Sequence, residues 1–335
     1  MSTLNDSIMI NERLLQQLIA ILSTSELKAN EMIAKQLNTV TNNNYYSMNL
    51  AFNSELKNKI TNMYKNLDED IKGILSTSVE NAYANGKMEI SKQYEAIKGP
   101  NTILNKINDK KVYLPQNLKS LILMHNNLVN NSILQVVRNT NDNYRNVLNQ
   151  VSSQVLTGAD TPREAAFKAM GDLAYKGING FTDKLGRNWN LQSYITMAVR
   201  TITSQASLQG HVDRMVELKE DLMIVSQHGG SCPLCAKWAG KVLSISGKNP
   251  KYPSLQSAKE GGLFHPNCKH TINLYIEGLM DYPKKKYTEL EKDKYIASQK
   301  MRYHELDIRK LKNKEIFAVN DIERMKIKKQ IKDIS

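Results

Sequence analysis

The residues of this chain best suited to chemistry are three cysteines and three histidines that lie in one short window. They are all of the cysteines and half of the six histidines in the sequence. A Cys-x-x-Cys pair comes first, and after 29 further residues a His-x-x-Cys-x-His pattern follows. Two ligand pairs from separated segments, with sulfur and nitrogen donors, are typical of a four-coordinate zinc site. The six candidates are His228, Cys232, Cys235, His265, Cys268 and His270.

The three cysteines are the expected metal ligands, and the metal is expected to be structural zinc. Cys232 and Cys235 would approach one ion from adjacent positions, and Cys268 would join from the distant segment. The metal would then fasten the loop 236–264, which is rich in glycine, proline and serine. Structural zinc in small modules contributes about 10–16 kcal/mol of apparent binding free energy, enough to order such a loop. The alternative, three buried thiols without a metal, stays open on the sequence alone.

The fourth ligand is open among the three histidines. From Cys268 to Glu277 apolar and polar residues alternate, which is the period of a strand with one buried face. This alternation places His270 on the same face as Cys268, towards the expected metal. Pro266 restricts His265 to an extended backbone, so His265 is either the ligand or a residue that supports one. We expect His270 first, then His265, and His228 third.

Catalytic zinc chemistry is not expected from this window. A catalytic zinc needs an open coordination position and a nearby general base, yet Glu260 is the only acid between Cys232 and His270. The His-x-Glu motif of zinc deaminases does not precede the cysteine pair, and His304-Glu305 lacks the second histidine of a metalloprotease. No catalytic residue is therefore predicted, and the protein is predicted not to be an enzyme.

Charge and cysteine usage suggest a polyanionic neighbour and a reducing compartment. The formal net charge is +13 and the pI is about 9.4, which indicates nucleic acid or an acidic protein face as a partner. Both signs are interspersed, so solvated lysines remain the alternative. An odd number of cysteines at one site argues against disulfides and for a cytoplasm. No signal peptide or run of about 18 apolar residues is evident, so no membrane span is expected.

The first half of the chain is predicted to consist of long helices. Residues 1–150 hold three glycines and two prolines, whereas residues 151–335 hold thirteen and six. The best helix runs from about Gln116 to Thr157. Its apolar stripe packs in a core or forms an intermolecular coiled coil, and the sequence leaves both open. The stripe consists of Val137, Tyr144, Leu148, Val151 and Val155.

The second half is predicted to mix helices with short strands that position the metal ligands. Helices are expected from Pro162 to about Tyr175 and from Leu191 to Gln209, and Trp189 is expected to anchor a core. Strands are expected at 222–226 and 241–246, on either side of the Cys-x-x-Cys turn, besides the one that follows Cys268. Residues 281–335 are predicted to form a charged, mostly exposed helix or helix pair.

The predicted fold class is α+β, mainly α. A long helical N-terminal region at 1–157 precedes a mixed helical and small β module at 158–280, which a zinc ion fastens. A basic, charged helical tail follows at 281–335.

Two segments around the metal ligands resemble a known family. Residues 225–240, VSQHGGSCPLCAKWAG, and residues 262–270, GLFHPNCKH, are similar to the phage minor capsid protein 2 family of tailed bacteriophages. That family is akin to the Mu F-type head morphogenesis proteins. Residues 186–189, 194–201 and 299–303 also resemble it, and the resemblance covers about 155–310. Since F-type relatives end this motif in His-Pro-x-Cys-x-Cys, the resemblance supports His270 as a ligand.

The resemblance implies a structural head morphogenesis protein of a phage or prophage. Such a protein would be made in the bacterial cytoplasm and carried in the virion in few copies, associated with the portal. Its expected partners are the portal or major capsid protein and, through its basic surface, packaged DNA. A metal-dependent nuclease or toxin module, with His265 as general base, is the alternative function. A host DNA-binding protein with a structural zinc is a third.

Overall fold

The structure, a computed structural model, describes residues 2–39, 55–99, 113–155, 161–176, 180–183, 186–280 and 287–335. Nine helices lie within these ranges: α1 (Ser2–Leu37), α2 (Glu55–Lys98), α3 (Gln116–Val155), α4 (Pro162–Lys176), α5 (Leu191–Glu217), α6 (Pro233–Ala236), α7 (Leu255–Glu260), α8 (Glu289–Glu315) and α9 (Asp321–Ile334). Five short strands accompany them: β1 (Gly180–Thr182), β2 (Asn188–Asn190), β3 (Leu222–Val225), β4 (Val242–Ser244) and β5 (Ile272–Leu274). The predicted α+β, mainly α, fold class is confirmed.

The strands form two small antiparallel sheets. β1 pairs with β2, with Phe181 opposite Trp189. In the second sheet β3 lies in the centre, between β4 and β5, with Met223 opposite both Leu243 and Leu274. The expected strands at 222–226 and 241–246 are therefore present in shorter form. The strand expected after Cys268 is confined to β5.

The chain divides into two compact units, which are described separately. The first contains residues 1–16, 73–126 and 196–299, and the second contains residues 17–72, 127–195 and 300–335. The first unit includes the sheet β4-β3-β5 and all six Cys/His candidates. The sequential division at 157/158 and 280/281 follows composition along the chain and stays a prediction.

Within the first unit α2 and α5 cross closely, and glycines make the crossing possible. A Cβ added to Gly86 would lie 2.3 Å from the carbonyl oxygen of Ser207, and one added to Gly210 would lie 2.2 Å from that of Tyr83. Such distances exclude any side chain at either position. The Tyr83 hydroxyl also donates to Asp213 across the crossing, at 2.7 Å. This helix pair is one wall of the core on which the sheet packs.

The core of the first unit joins the sheet to that helix pair. Gln93 of α2 also supplies hydrogen-bond partners to the edge strand β5. Its Oε1 accepts from the Leu274 backbone N–H at 2.7 Å, and its Nε2 donates to the Asn273 side chain at 3.1 Å. An edge strand otherwise exposes unpaired backbone groups. The buried apolar cluster includes Ile90, Leu208, Met215, Met223, Val225, Cys235, Leu243, Ile272 and Leu274.

The second unit combines an apolar core with a buried polar network. Asn313 of α8 donates to Glu26 of α1 at 2.9 Å and accepts from Asn30 at 3.0 Å. Asn190, at the end of β2, also donates to Glu26, at 3.3 Å, and accepts from Arg309 at 3.0 Å. Buried polar groups of this kind are stable only when they are hydrogen-bonded. The polar contacts thus fix the register of α8 against α1 and β2 inside this unit.

The buried stripe of α3 agrees with the predicted one at Tyr144 and differs from it by one residue at Val137. Val129, Ile133, Val136, Tyr144 and Val147 are buried, whereas Val137 is only half-buried. Val136 and Val137 are adjacent, so the sequence alone does not show which of the two faces the core. The elements packed against α3 decide which face is buried. The side chains of Leu148, Val151 and Val155 lie outside the described residues.

The other helix predictions are close to the structure. α4 begins at Pro162 as expected, while α5 continues to Glu217, well past Gln209. The charged tail forms a pair of helices, α8 and α9, as one of the two expected forms. Trp189 is half-buried; its indole N–H donates to Asp183 at 2.9 Å and its ring packs edge-on against Tyr194. Among the described residues, no helix combines the length and apolar character needed to cross a membrane.

Candidate metal centre

The first pair of candidate ligands lies on a single turn of helix. Cys232 is the N-cap of α6 and has extended backbone angles, and Pro233 begins the turn. A proline suits this position because its missing N–H would have had no helical partner. The Cys232 sulfur accepts from the backbone N–H of Cys235 at 3.4 Å. Both sulfurs are therefore directed to the same side of the turn, as a Cys-x-x-Cys metal site requires.

The second group of ligands follows a turn with left-handed backbone angles. Phe264 has φ of 60° and Asn267 has φ of 64°, an unfavourable conformation for a residue such as phenylalanine. Between them the carbonyl oxygen of His265 accepts from the backbone N–H of Cys268 at 2.9 Å. This turn reverses the chain, so that His265 and Cys268 both face α6.

After this turn the predicted alternation is confirmed by burial. His270, Ile272, Leu274 and Ile276 are all buried, while the residues between them are at least partly exposed. His270 lies before the start of β5, yet it keeps the inward orientation of the strand residues. The period-two pattern therefore predicted the side of His270 correctly, even though the regular strand is shorter.

One set of candidate donors joins Cys232 to His265. The Cys232 sulfur lies 2.9 Å from Nε2 of His265. Nδ1 of His265 donates to the carbonyl oxygen of Pro266 at 2.8 Å. Because a carbonyl can only accept, Nδ1 carries a proton and donates it, and Nε2 is the nitrogen that faces the sulfur. Nε2 is therefore the His265 atom available to a metal ion.

A second set joins the other two cysteines to His270. The sulfurs of Cys235 and Cys268 are 3.4 Å apart, and the Cys268 sulfur is 3.4 Å from Nδ1 of His270. Nε2 of His270 lies 3.2 Å from the hydroxyl of Ser231, which itself donates to the His228 carbonyl at 3.0 Å. Ser231 therefore accepts from Nε2, and Nδ1 is the His270 nitrogen that faces the sulfurs.

The two sets share Cys235, and each of them brings three donor atoms close enough to hold a metal ion. The donor atoms of Cys232, Cys235 and His265 all lie within 4.8 Å of one another, as do those of Cys235, Cys268 and His270. Ligand atoms around a tetrahedral zinc lie about 3.5–3.8 Å apart, given its bond lengths. All three cysteines are free thiols. Sulfur and imidazole donors at these separations favour zinc over the oxygen-binding divalent ions.

The electrostatics of the cluster favour thiolate at two of the three cysteines. The hydrogen bond from the Cys235 thiol, with the contact to His270, lowers the pKa of Cys268 to about 4. Burial opposes ionisation of Cys232, but the Cys235 backbone N–H and the His265 ring lower its pKa. The contact with Cys268, together with burial, raises the pKa of Cys235. A metal ion in the cluster would favour the thiolate form of all three cysteines.

The sixth candidate, His228, lies at the edge of the cluster. Its Nε2 is 3.3 Å from Nδ1 of His270, and its Nδ1 is 3.0 Å from the Gly229 carbonyl oxygen. No thiol is shown within hydrogen-bond distance of His228 in the described part of the chain. Its rank as third choice among the histidines agrees with this position, while the choice between His270 and His265 stays a prediction.

Sequence reasoning missed the residues that support the ligand loop. Ser231 orients His270, Tyr287 donates to the Ser231 carbonyl at 3.2 Å, and the Glu291 carboxylate accepts from the Gly230 backbone N–H. The backbone hydrogen bond from Gly230 lowers the pKa of Glu291. Ser231 adjoins Cys232 in the sequence, but Tyr287 and Glu291 carry no local signal because they lie far along the chain, Tyr287 just before α8 and Glu291 in its first turn.

Comparison with known proteins identifies one family. The family model described as phage minor capsid protein 2 matches residues 10–335. The match therefore extends well beyond the expected range of 155–310, to the N-terminal helices and the end of α9. Among curated proteins no similar protein was found, and no solved structure is similar to the chain.

Proposed function

Since the chain belongs to the phage minor capsid protein 2 family, we propose that it is a structural head morphogenesis protein of a tailed phage or prophage, present in few copies near the portal. The observation that supports this most is the extent of the family match, which includes the helices and the Cys/His module alike. Membership of a capsid family supports a location in the virion. A structural family also agrees with the prediction of no enzyme.

The proposed partners are the portal or major capsid protein and the packaged DNA. Long helices offer extended faces for protein contacts, and a net charge of +13 suits an acidic or polyanionic neighbour. The protein would be made in the bacterial cytoplasm before it enters the head.

Mass spectrometry of purified virions tests the location and the copy number. We expect peptides from this chain at a small fraction of the amount of major capsid protein. Crosslinking within intact particles should connect the chain to the portal. Particles that lack the chain would contradict the proposal and would point to an assembly factor or to the nuclease or toxin alternative.

We further propose that the Cys/His cluster binds one structural zinc ion. Cys232, Cys235 and Cys268 supply three thiolates, and His270 supplies the fourth ligand, with His265 as the other candidate. The close approach of Cys235, Cys268 and His270 supports this, as does the approach of Cys232 to Cys235. The metal would link α6 to the segment before β5 and so order the loop between them.

Metal analysis of the purified protein tests the zinc site. We expect close to one zinc per chain, and a folded protein without metal would contradict the site. Cys235→Ser and Cys268→Ser should each lose most of the zinc, whereas His228→Ala should retain it. Equal losses in all three variants would show that the ranking of ligands is wrong.

The two histidine variants decide the fourth ligand. If His270 is the ligand, His270→Ala loses zinc affinity by a larger factor than His265→Ala, in competition with a chromogenic chelator. The reverse order assigns the position to His265. Cobalt substitution gives an independent measure, because the absorption bands of tetrahedral Co²⁺ differ between three thiolates with one imidazole and sites with fewer ligands.

A further inference from the structure

Two lysines beside the Cys/His cluster lie over the same tryptophan ring. The ammonium of Lys241 is 5.0 Å from the centroid of the Trp238 indole, and that of Lys237 is 6.0 Å from it. Both lysines are exposed and the indole is half-buried. Leu234, one helical turn before Trp238, is also exposed, by 54%. These four residues define the Trp238 patch.

The patch is built on the backbone of the metal turn. The Trp238 N–H donates to the carbonyl oxygen of Cys235 at 2.9 Å, and the Lys241 N–H donates to that of Trp238 at 3.0 Å. Gly261 packs against the indole so closely that an added Cβ would lie 2.7 Å from its Cζ2 atom. Trp238 is thus held in place, and it in turn positions the two ammonium groups.

The cations of the Trp238 patch differ from the other cations that lie over aromatic rings. Elsewhere in the described residues such cations also contact a carboxylate or an amide oxygen: Lys87 with Glu217, Arg163 with Asn38, Arg187 with Asp183, Lys251 with Glu277, Lys310 with Asp307 and Lys314 with Asp172. For Lys237 and Lys241 the described part of the chain shows no acidic or amide partner. Their positive charge is left for an external anion.

The surroundings favour a polyanion. Residues 222–277 contain six lysines and two glutamates, with no aspartate, so the module has an excess of four positive charges. Lysine ammonium groups bind phosphate as compact point charges. The DNA duplex presents one negative charge per about 1.7 Å of its axis, so one duplex offers a phosphate to each of the two cations.

We propose that the Trp238 patch is a contact for the phosphate backbone of double-stranded DNA. Lys237 and Lys241 each neutralise one phosphate, and Trp238 acts as a positioning residue that holds them. The contact is independent of base sequence, because it uses no base edge. The inference rests on the proposed location in the phage head for the identity of the partner, since that compartment holds the DNA.

Salt-dependent DNA binding by the full chain tests the proposal. The probe is a fluorescent 30-base-pair duplex of random sequence, and the affinity is measured by anisotropy between 50 and 300 mM NaCl. The double variant Lys237→Gln/Lys241→Gln should reduce the slope of log K against log salt by about 1.8, and the affinity at 0.1 M by about 60-fold. Zinc content and the melting curve should equal those of the unchanged protein.

A charge-matched control separates the patch from net charge. Lys251→Gln/Lys292→Gln also removes two positive charges, but both lysines have glutamate partners, Glu277 and Glu289. This control should keep the slope. Trp238→Leu should lower the affinity while leaving most of the slope, because the charges remain but their positions are no longer fixed.

Three outcomes would overturn the proposal. The first is an equal salt slope for the double variant and its control, and the second is no duplex binding by the unchanged protein at 50 mM NaCl. The third is that the double variant loses binding to a polyglutamate peptide but keeps its binding to the duplex. The last would assign the patch to an acidic protein segment. A chain that fails to bind DNA but is present in virions would overturn this inference and leave the proposed function standing, whereas a chain that binds DNA but is absent from virions would do the reverse.

Discussion

Two regions of the molecule are stabilised by different means. One is the Cys/His module, residues 222–277, and the other is the set of long helices α1 to α3. The helices are 36, 44 and 40 residues long and bury many large apolar side chains. In the module the strands have three or four residues and the helices have four and six. Elements this short have little stability of their own.

The difference teaches what the candidate metal contributes. A long amphipathic helix gains stability from each turn that it packs, so losing one contact weakens it in part. The ligand loop of the module has no repeated helical turns to share such a loss. Its backbone conformation depends on residues with left-handed angles, such as Phe264 and Asn267. We therefore expect the module to respond to metal removal as a whole, and the helices to respond to core substitutions one at a time.

The largest expected effect is that of chelation. Removing zinc should cost the module about 10–16 kcal/mol of apparent stabilisation, so that the backbone amides of β3, β4 and β5 lose protection in hydrogen exchange. Amides of α3 beyond residue 127 should keep theirs, since they belong to the second unit. Equal loss in both regions would remove the distinction between them, and no loss in either would show that the module folds without metal.

The second effect is that of a core truncation in a long helix. Ile71→Ala in α2 removes a fully buried side chain, with 0% exposure, and should lower the free energy of unfolding by about 2–5 kcal/mol. Urea denaturation followed by circular dichroism measures the loss. Leu134→Ala on α3, where the side chain is 52% exposed, is the control and should change stability little. Zinc content should be the same in both variants, and if Ile71→Ala released zinc, the two regions would not be separable.

The sequence predicts the module better than it predicts the contacts inside it. Cysteine and histidine spacing identified the cluster, and the alternation after Cys268 placed His270 on the buried side. Neither pattern predicts that Cys232 would meet His265 while Cys268 meets His270. That pairing depends on the turn at 264–267, where two residues other than glycine take positive φ angles, and side-chain type gives little indication of such angles.

For the long helices, the sequence predicts that the elements exist better than it predicts which faces they bury. That the first half is helical followed from composition, because few breakers occur before residue 150, and the start of α4 followed from Pro162. The ends of α1 and α2 were not predicted. The buried faces of the helices were harder to predict. In α3 the choice between Val136 and Val137 depends on neighbouring helices, and the partners of Asn313 in α1 lie more than 280 residues away. Long-range pairing of this kind leaves no local periodicity to detect.

The third prediction concerns the buried polar network of the second unit. Asn313→Ala removes the donor to Glu26 and the acceptor for Asn30, which leaves buried polar groups with fewer partners. We expect a loss of about 1–3 kcal/mol, the usual cost of such a group, measured by urea denaturation. The exposed neighbour Lys312 supplies the control, Lys312→Ala, which should be nearly neutral. A neutral Asn313→Ala would mean that apolar packing alone holds α8 in this unit.

The smallest effect is expected from an ion pair on the surface of a long helix. Lys59 contacts Glu55 one turn earlier on α2, and the two side chains are 59% and 77% exposed. Such exposed pairs contribute little to stability and are screened by salt. Lys59→Ala should therefore lower the free energy of unfolding less than Ile71→Ala or Asn313→Ala, and the coupling energy from a double-mutant cycle with Glu55→Ala should disappear in 1 M NaCl. A coupling as large as the loss expected for Asn313→Ala that persists in salt would contradict the view that α2 is held by its buried face.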